Sequence, residues 1–401
     1  MLDLSVIYEL GAMSTLIYIT ERPIMLFTTI NTSIIMKQIL FISLAFILCI
    51  SCSHTANDKG IEEKLLSVTI TDEPVNIKDL YEYARFIPLE NGENCMLSRV
   101  VKAAVKDTLV YMLDKDPYPS IKVFSTNGRH IRNIGRLGHG KGEYEDIDDF
   151  TTNPKGDSIF ILCNNRILAY NNKGEFLFQK IIDKKGQIRR IESCNGGYVC
   201  LIEHKGDDNL LHFLDYDFEK KRDLISSGGK IIKVPSSVHN PIQVKGKDVW
   251  YCHYFTSTLY VIDTQDDYKT TSYRINTDKA NKIERFENYV FTNDYDAVTF
   301  YSVDGDQIFG FFNVAQEHDW PFIWNLNSEE IIVKHTEEWI PYVKAINSGL
   351  HYSIITQDSF IRLSEQFAKQ DNLNSNYLEV SNSVTEKDNF VLVELKPKNN
   401  D

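Results

Sequence analysis

The fold is decided by the stretch from Asp107 to Phe150, which reads DTLVYMLDKDPYPSIKVFSTNGRHIRNIGRLGHGKGEYEDIDDF. Leu109 to Leu113 and Ile121 to Phe124 have the length and the β-branched or aromatic content of strands, and Asn127-Gly128 is a strong hairpin signal. His130 to Ile134 alternates polar residues with isoleucine, as a strand with one solvated face does. Because such an antiparallel meander cannot bury its apolar faces alone, the rest of the chain should supply further copies.

Copies of this meander recur along the chain. The clearest begins around Asp157, where GDSIFILCNNRILAYNNKGEFLFQKII aligns with the opening meander strand by strand. The residues that mark the start of the copies are Asp107, Asp157, Gly197, Asp248, Asp306 and Asn347. Six units of this size, each a meander of four short strands, predict an all-β fold: a six-bladed β-propeller of four-stranded antiparallel blades over residues 65–397.

The two ends of this region are predicted to complete the ring. Leu65 to Leu89 and Phe390 to Leu395 are the strand-forming pieces that would pair and remove a free edge. The last copy, GLHYSIITQDSFIRL, is predicted to continue as strands after Asn347. Ser364 to Asn372, SEQFAKQDN, is predicted as a short helix or a loop on the rim.

The composition excludes one class of partner. The 401 residues carry a formal charge of −13, and no basic patch is visible in the sequence. Proteins that bind nucleic acid need a concentrated basic surface, so no nucleic-acid partner is expected.

The start of the chain resembles the export signal of a bacterial lipoprotein. Residues 36–51 are predicted as a signal peptide, because the apolar run Ile39 to Ile50 follows Lys37 and is too short to span a bilayer. Ser51-Cys52 resembles the end of a lipobox, in which Cys52 would be lipidated, although Cys49 stands where that pattern prefers leucine. An ordinary cleaved signal or an anchor helix is the alternative.

The lipobox has consequences for the flanking segments and for the location of the protein. Residues 1–35 are predicted to be an over-extended N-terminus, because Met36 is a natural start. Residues 52–64 are predicted as a polar tether. The expected location is the cell envelope, where the lipid would hold the protein on the membrane, on a periplasmic or surface-exposed face of the outer membrane.

The other cysteines fit buried structural thiols better than disulfides or metal ligands. No C-x-x-C pair is present, and most of these cysteines lie in apolar strand-like runs. They are Cys95, Cys163, Cys194, Cys200 and Cys252.

The chain resembles the bacterial six-bladed β-propeller lipoproteins with NHL-like blades. The resemblance rests on FIPLE at Phe86 to Glu90, on Tyr111 to Gly135, on the glycine-spaced run Gly138 to Tyr144, and on NFVLVELK near the end. Lys141 and Cys163 depart from the pattern, which often has proline and aspartate there. The resemblance implies an envelope-anchored propeller and supplies no catalytic motif.

The glycine-spaced loop from Gly135 to Gly142 contains one group of candidate ligand-binding residues. A phosphate cradle is disfavoured because no helix opens behind the loop. Loops on one face of a propeller often bind ligands, and this loop and its end contain Arg136, His139, Glu143 and Tyr144. The alternative is a structural turn between blades with solvated charges.

Two further positions are candidates. Arg166, in the hairpin of the second copy, could bind a carboxylate or a sugar hydroxyl, or could hold the neighbouring blade. His318 and Trp320 belong to an aromatic and polar cluster in a stretch predicted to be irregular, and could stack on a sugar or a peptide. Packing between blades is the alternative for both.

Two function classes therefore remain. The sequence has no G-x-S-x-G motif, no H-E-x-x-H motif and no evident acid and base pair, so no catalytic residue, metal ligand or cofactor is predicted. The first class is a ligand-binding or protein-interaction module for a glycan, a peptide or an envelope protein. The alternative is an envelope lyase or hydrolase with its active site in the axial pit, which sequence spacing would not reveal.

Overall fold

The structure is a computed structural model that describes most of the chain from Ile61 onward. The described residues are 61–182, 186–203, 209–226, 241–253, 258–276, 297–304, 306–314, 318–336, 338, 340–367 and 374–398. The predicted segments 1–35 and 36–51, and Cys52 with the tether as far as residue 60, lie outside them. Among the described helices, none is both long and apolar enough to cross a membrane.

Two strands and a short helix precede the repeated sheets. They are β1 (Glu62–Pro74), α1 (Ile77–Leu80) and β2 (Tyr81–Pro88). The end of the predicted tether, from Glu62 onward, is therefore part of a strand.

Three separate four-stranded antiparallel sheets follow, each with its strands in chain order. The first contains β3 (Val100–Lys106), β4 (Leu109–Asp114), β5 (Ser120–Ser125) and β6 (His130–Ile134). The second contains β7 (Asp149–Thr152), β8 (Ser158–Cys163), β9 (Arg166–Asn171) and β10 (Phe176–Ile181). The third contains β11 (Gln187–Cys194), β12 (Gly197–Glu203), β13 (Asn209–Asp215) and β14 (Lys220–Ser226). The predicted hairpin at Asn127-Gly128 is confirmed, because the Gly128 amide donates to the Ser125 carbonyl at 2.9 Å.

Strand β1 joins the next two meanders into one sheet of nine strands. The meanders are β15 (Ile242–Lys245), β16 (Asp248–His253), β17 (Thr258–Asp263) and β18 (Lys269–Asn276), then β19 (Ala297–Asp304), β20 (Gln307–Val314), β21 (His318–Asn325) and β22 (Glu330–His335). The first half of β1 pairs in parallel with β18, and its second half pairs in parallel with β22. The added strand covers two edges that would otherwise expose unpaired backbone groups.

The last sheet combines both ends of the described chain, in the order β23, β24, β26, β2, β25. Its remaining strands are β23 (Ala345–Asn347), β24 (Leu350–Ile355), β25 (Asn374–Ser375) and β26 (Val391–Pro397). The predicted pairing of the two ends is present, because β2 is antiparallel to β26 from Tyr81 opposite Pro397 to Pro88 opposite Val391.

The prediction that the last copy continues as strands after Asn347 is wrong beyond β24. The segment QDSFIRL belongs to a helix, α2 (Gln357–Phe367), and a second helix, α3 (Tyr377–Ser381), follows it. The Thr356 hydroxyl caps the first turn by accepting from the Ser359 amide at 3.1 Å. Phe360 and Leu363, three residues apart, are buried together on one face. Of the rim segment 364–372, residues 364–367 lie in this helix and the others are outside the described residues.

The sequence markers occupy equivalent places in the sheets. Each lies at the turn between the first and the second strand of an antiparallel meander. The first strands also contact each other in a closed cycle, in the order β3, β7, β11, β15, β19, β23 and back to β3. The fold is therefore all-β and propeller-like, with its sheets arranged around a common axis.

The hydrophobic core lies between successive sheets and not in one central mass. One cluster joins β4 and β5 to β8 and β9, and the next joins the other faces of β8 and β9 to β12 and β13. In β8, Ile159 and Ile161 therefore face one neighbouring sheet while Phe160 and Leu162 face the other. This two-sided burial explains why the inner strands have continuous apolar runs.

The prediction of buried structural thiols is confirmed. All five cysteines of the described chain are free and buried. Burial raises the pKa of the Cys194 thiol to about 12, which keeps it protonated and unreactive at neutral pH.

Candidate functional site

The first strands of the sheets line a cavity of about 230 Å³ on the common axis, and the cavity is open to solvent. Residues from β3, β7, β11, β15 and β19 line it, together with β23 and the two residues before that strand. A cavity of this size has room for several water molecules or for one small polar molecule. The charged residues in the lining are Lys102, Lys106, Glu192, Lys245 and Lys344.

Lys102 forms ion pairs and a hydrogen bond that link three first strands beside this cavity. Its ammonium group, on β3, lies 3.0 Å from an Asp149 oxygen on β7 and 2.6 Å from a Glu192 oxygen on β11. It also donates to the Ile191 carbonyl at 3.3 Å. Three acceptors satisfy all three of its N–H donors, and only 8% of the side chain is exposed. This cation therefore stabilises the sheets and has no donor left for a ligand.

A second charged group lies at the last residues of two other first strands. Lys245, on β15, is 3.1 Å from Asp304 on β19, and Asp304 is 3.2 Å from His351 Nε2 on β24. The hydrogen bond with His351 has the largest effect on Asp304, and the contact with Lys245 adds to it. Together they lower the pKa of the Asp304 carboxyl group to about 2. The Lys245 side chain is about half exposed, so the ammonium remains reachable from solvent.

Lys106 lies in one first strand, and Lys344 lies just before the neighbouring first strand. Lys344 directly precedes β23, Lys106 is the last residue of β3, and β23 contacts β3. The Asn347 side-chain amide donates to the Asp107 carbonyl at 3.3 Å and so joins the turns that follow the two strands. Burial lowers the pKa of Lys344 to about 8.

The sequence interpretation missed these lysines. Valine precedes each of the four, in Val101-Lys102, Val105-Lys106, Val244-Lys245 and Val343-Lys344. The signal that could have identified these residues is a lysine that recurs in apolar runs shortly before the repeat markers. It was not recognised because each repeat was counted from its marker, and the first strand of each unit lies before the marker.

The loop from Gly135 to Gly142 is folded on itself, away from the lining of the cavity. The Glu143 carboxylate accepts from the Gly140 amide at 2.7 Å and from Arg136, and both bonds lower its pKa. Tyr144 is buried and donates to the Ile134 carbonyl at 3.3 Å, which leaves its side chain no surface to offer a ligand. His139 is 85% exposed and lies 3.1 Å from Glu145.

Arg136 is also exposed, with 81% of its side chain accessible to solvent. Together with His139 it lies at the surface, so the two side chains could still contact a partner there. They do not converge with the lysines of the cavity, because neither residue contributes to its lining.

Arg166 is half-buried, and its guanidinium lies 3.7 Å from the Cys163 sulfur in its own hairpin. The contact with the next sheet is made by the neighbouring Asn165 and not by Arg166. Its side-chain oxygen accepts from the Ile188 amide at 2.7 Å, and its side-chain amide donates to the Gly186 carbonyl. Asn165 adopts φ +60°, which asparagine tolerates better than most residues.

His318 and Trp320 lie in a regular strand, β21, so the prediction of an irregular stretch is wrong. The strand pairs with β20 along its full length, from Gln307 opposite Asn325 to Val314 opposite His318. Trp320 shares a face with the buried Phe322 and Trp324 and packs partly against the core. Its ring also meets the edge of His335 at 5.1 Å between centroids.

Comparison with known proteins finds one matching sequence family and several solved structures with a similar fold. The model of a family described as a domain of unknown function, DUF4934, matches residues 65–396. No curated protein matches the chain. At the identities that follow, similarity to solved structures shows the fold alone.

Two solved structures share this architecture. An exported protein from Bacteroides fragilis NCTC 9343 is 15% identical, with a TM-score of 0.62 over 84% of this chain and 100% of that one. A member of the DUF4221 family from Bacteroides vulgatus ATCC 8482 is 13% identical, with a TM-score of 0.50 over 80% of this chain and 97% of that one.

Proposed function

The chain belongs to the DUF4934 family, and we propose that it is a lipid-anchored envelope protein whose six-bladed β-propeller binds a small polar ligand in its axial cavity. The observation that carries this proposal is the cavity itself, where side chains from separate sheets meet around one polar space. Sites at which several structural elements converge are where proteins most often bind small molecules.

The closed cycle of first strands supports six blades. The nine-stranded sheet contributes two blades joined by β1, and the last sheet contributes one blade built from both ends of the chain. With the three separate sheets, this arrangement supports a count of six blades, and the sequence resemblance is the basis for proposing that they are NHL-like. A ring closed by its own terminal strands needs no other chain to cover its edges.

Binding is favoured over catalysis because the carboxylate in the cavity lining is already engaged by other residues. Among the described residues that line the cavity, Glu192 is the only carboxylate, and Lys102 and the Thr151 hydroxyl already contact it. A lyase or hydrolase that relied on a carboxyl group as its acid or base would need one that is free to exchange a proton with its substrate. The lining instead offers mainly cationic and hydrogen-bonding groups. The ligand proposed is accordingly the size of one sugar or of a short peptide fragment.

Export and anchoring rest on the lipobox-like sequence at Cys52, and the similar B. fragilis protein is itself described as exported. We expect the Cys52→Ala protein to leave the membrane fraction when bacterial cells are fractionated. Tight membrane association of that variant would contradict the anchor.

The ligand is tested by native mass spectrometry of the full chain after incubation with small polar molecules extracted from bacterial envelopes. We expect a bound species that the variant Ala345→Phe loses, because Ala345 lines the cavity and the larger ring would fill part of it. Thermal unfolding would establish that the variant is folded. Equal occupancy in the variant, or no bound species in the unsubstituted protein, would overturn the proposal.

A further inference from the structure

We propose that β10 is an interaction surface, along which two copies of this chain pair strand to strand in an antiparallel dimer. The inference goes beyond the ligand proposed for the axial cavity and does not depend on it. Strand β10 is the outermost strand of the second sheet, and none of its residues lines the cavity. The inference comes from a comparison of the outer edges of the described sheets.

The outer edges formed near the two chain ends are covered by added strands. Strand β1 pairs with both β18 and β22, and β25 pairs with β2. The Asn376 side chain extends the cover of β2, because it accepts from the Phe86 amide at 2.8 Å and donates to the Phe86 carbonyl at 3.0 Å. These edges are therefore closed to another chain.

The outer strands of the first and third sheets, β6 and β14, have no such cover but carry charged side chains. Arg132 lies on β6, and β14 contains Lys220, Lys221, Arg222 and Asp223. Charged residues on an edge strand oppose its pairing with another edge. Two copies of β14 in particular would bring several cations together.

Strand β10 has neither kind of protection. It reads FLFQKI, and no described strand pairs with its outer edge. Leu177, Phe178 and Ile181 on this strand are 49%, 43% and 63% exposed. An apolar edge with unpaired backbone groups is a site at which another strand can be added.

The charge on β10 is compatible with a second copy of the same strand. Lys180 is the only charged residue of β10, and its ammonium lies 2.5 Å from the Glu219 carboxylate of the third sheet. It also donates to the Asp217 carbonyl. Because this cation already has a carboxylate partner, two copies of β10 can approach without an uncompensated like charge.

The backbone of β10 indicates the register of the dimer. The amide of Ile182, directly after the strand, donates to the Asn165 carbonyl at 2.8 Å. Because the hydrogen-bonding direction alternates along an antiparallel ladder, Gln179 and Ile181 direct their backbone groups away from β9. A pairing centred on Gln179 joins these outward groups of the two copies across a twofold axis.

This register also brings compatible side chains together. Gln179 lies opposite Gln179 of the second copy, where the two amides can hydrogen-bond to each other. Phe178 lies opposite Lys180 of the second copy, whose apolar stem can pack on the ring. The pairing therefore uses the same surface on both copies and opposes no like charges.

The dimer is tested by sedimentation velocity of the full chain in detergent at increasing protein concentration. A strand of six residues makes a small interface, so we expect reversible dimerisation with a Kd of about 1 to 100 µM. Ile181→Lys should weaken it at least tenfold by placing a charge on the apolar edge. The matched control is Ile332→Lys, because Ile332 is 42% exposed on β22, which is paired on both sides. Thermal unfolding would show that both variants are folded.

A cross-linking experiment tests the register without placing a charge on the edge. In the proposed pairing the two Gln179 Cα atoms are about 5.5 Å apart, within the range of a disulfide. Gln179→Cys should therefore form a cross-linked dimer on mild oxidation with copper phenanthroline. The control is Asn133→Cys, because Asn133 is exposed on β6, the equivalent outer strand of the first sheet. It should remain largely monomeric.

A protein that is monomeric at about 200 µM would overturn the inference. Equal effects of Ile181→Lys and Ile332→Lys, or equal cross-linking at positions 179 and 133, would also overturn it. A monomer that binds a different protein along β10 would assign the edge to that partner and not to a second copy. Failure of the envelope-extract experiment would remove the proposed ligand and leave the dimer standing.

Discussion

The Lys102 ammonium lies 3.0 Å from the Asp149 carboxylate and so joins the first strands of two neighbouring sheets beside the axial cavity. Glu192 extends the contact to a third sheet. Because these groups are largely withdrawn from water, each depends on the others to offset its desolvation.

Lys102→Met should therefore destabilise the protein strongly. It leaves the carboxylates of Asp149 and Glu192 near each other without their cation, and we expect a loss of about 3 to 5 kcal/mol in the free energy of unfolding, measured in urea. Adding Asp149→Asn should recover part of this loss, because one uncompensated charge is removed. The exposed control Lys173→Met should change stability by less than about 0.5 kcal/mol. Equal effects at positions 102 and 173 would show that the network contributes little.

Asp304 should make the free energy of unfolding depend on pH in the acidic range. Its pKa in the folded protein, about 2, is below the usual value of 3.8, so its ion pairs stabilise the fold above about pH 4 and are lost as pH falls toward 2. Asp304→Asn should cost about 1 to 2 kcal/mol at pH 6, because partial solvation weakens the contacts, and less at pH 3. Urea unfolding at both pH values measures the difference.

The control for that experiment is Asp306→Asn, since Asp306 is exposed and follows closely in the same hairpin. It should have no comparable pH-dependent effect. A stability cost at Asp304 that is the same at pH 6 and pH 3 would contradict the assignment.

Gly142 should tolerate no side chain. It adopts φ +74°, and a Cβ there would lie 2.7 Å from the Phe176 ring. Gly142→Ala should cost about 2 to 3 kcal/mol, from the backbone conformation and the clash together. Gly246→Ala is the matched control, because Gly246 has φ +59° and nothing within 4 Å of the added Cβ, so only about 1 kcal/mol should be lost. Thermal or urea unfolding that ranks the two variants equally would contradict the packing argument.

Asn165 and Asn164 allow a test of how one sheet is tied to the next. Both have positive φ, so glycine relieves the backbone cost at either position. Asn165→Gly also removes the side-chain bonds to Ile188 and Gly186 and should lose about 1 to 2 kcal/mol. Asn164→Gly removes an exposed side chain and should be neutral or slightly stabilising. Urea unfolding should separate the two variants, and the reverse order would show that Asn165 does not tie the sheets together.

Most strands could be predicted because their signals are local. The Asn127-Gly128 turn and the alternation around it identify a meander wherever it recurs, and the repeat markers all lie at equivalent turns. The strand after Ile355 was mispredicted because a short apolar run fits either a strand or a helix, and the Thr356 cap decides for the helix.

The candidate site could be predicted only in part. Arg136 and His139 were identified as surface residues of a glycine-spaced loop, and they are exposed. Glu143 and Tyr144 instead hold that loop together. The lysines of the cavity are separated by as many as 242 residues in sequence, and no local pattern indicates that they meet.

The sequence by itself determined the all-β class, the repeat and the pairing of the two chain ends, because alternation, turn residues and spacing act over a few residues at a time. Only the tertiary structure decided that β1 joins two meanders and that Lys106 and Lys344 face one cavity. Those relationships depend on how whole sheets pack around an axis, and that packing is set by contacts between strands far apart in the chain.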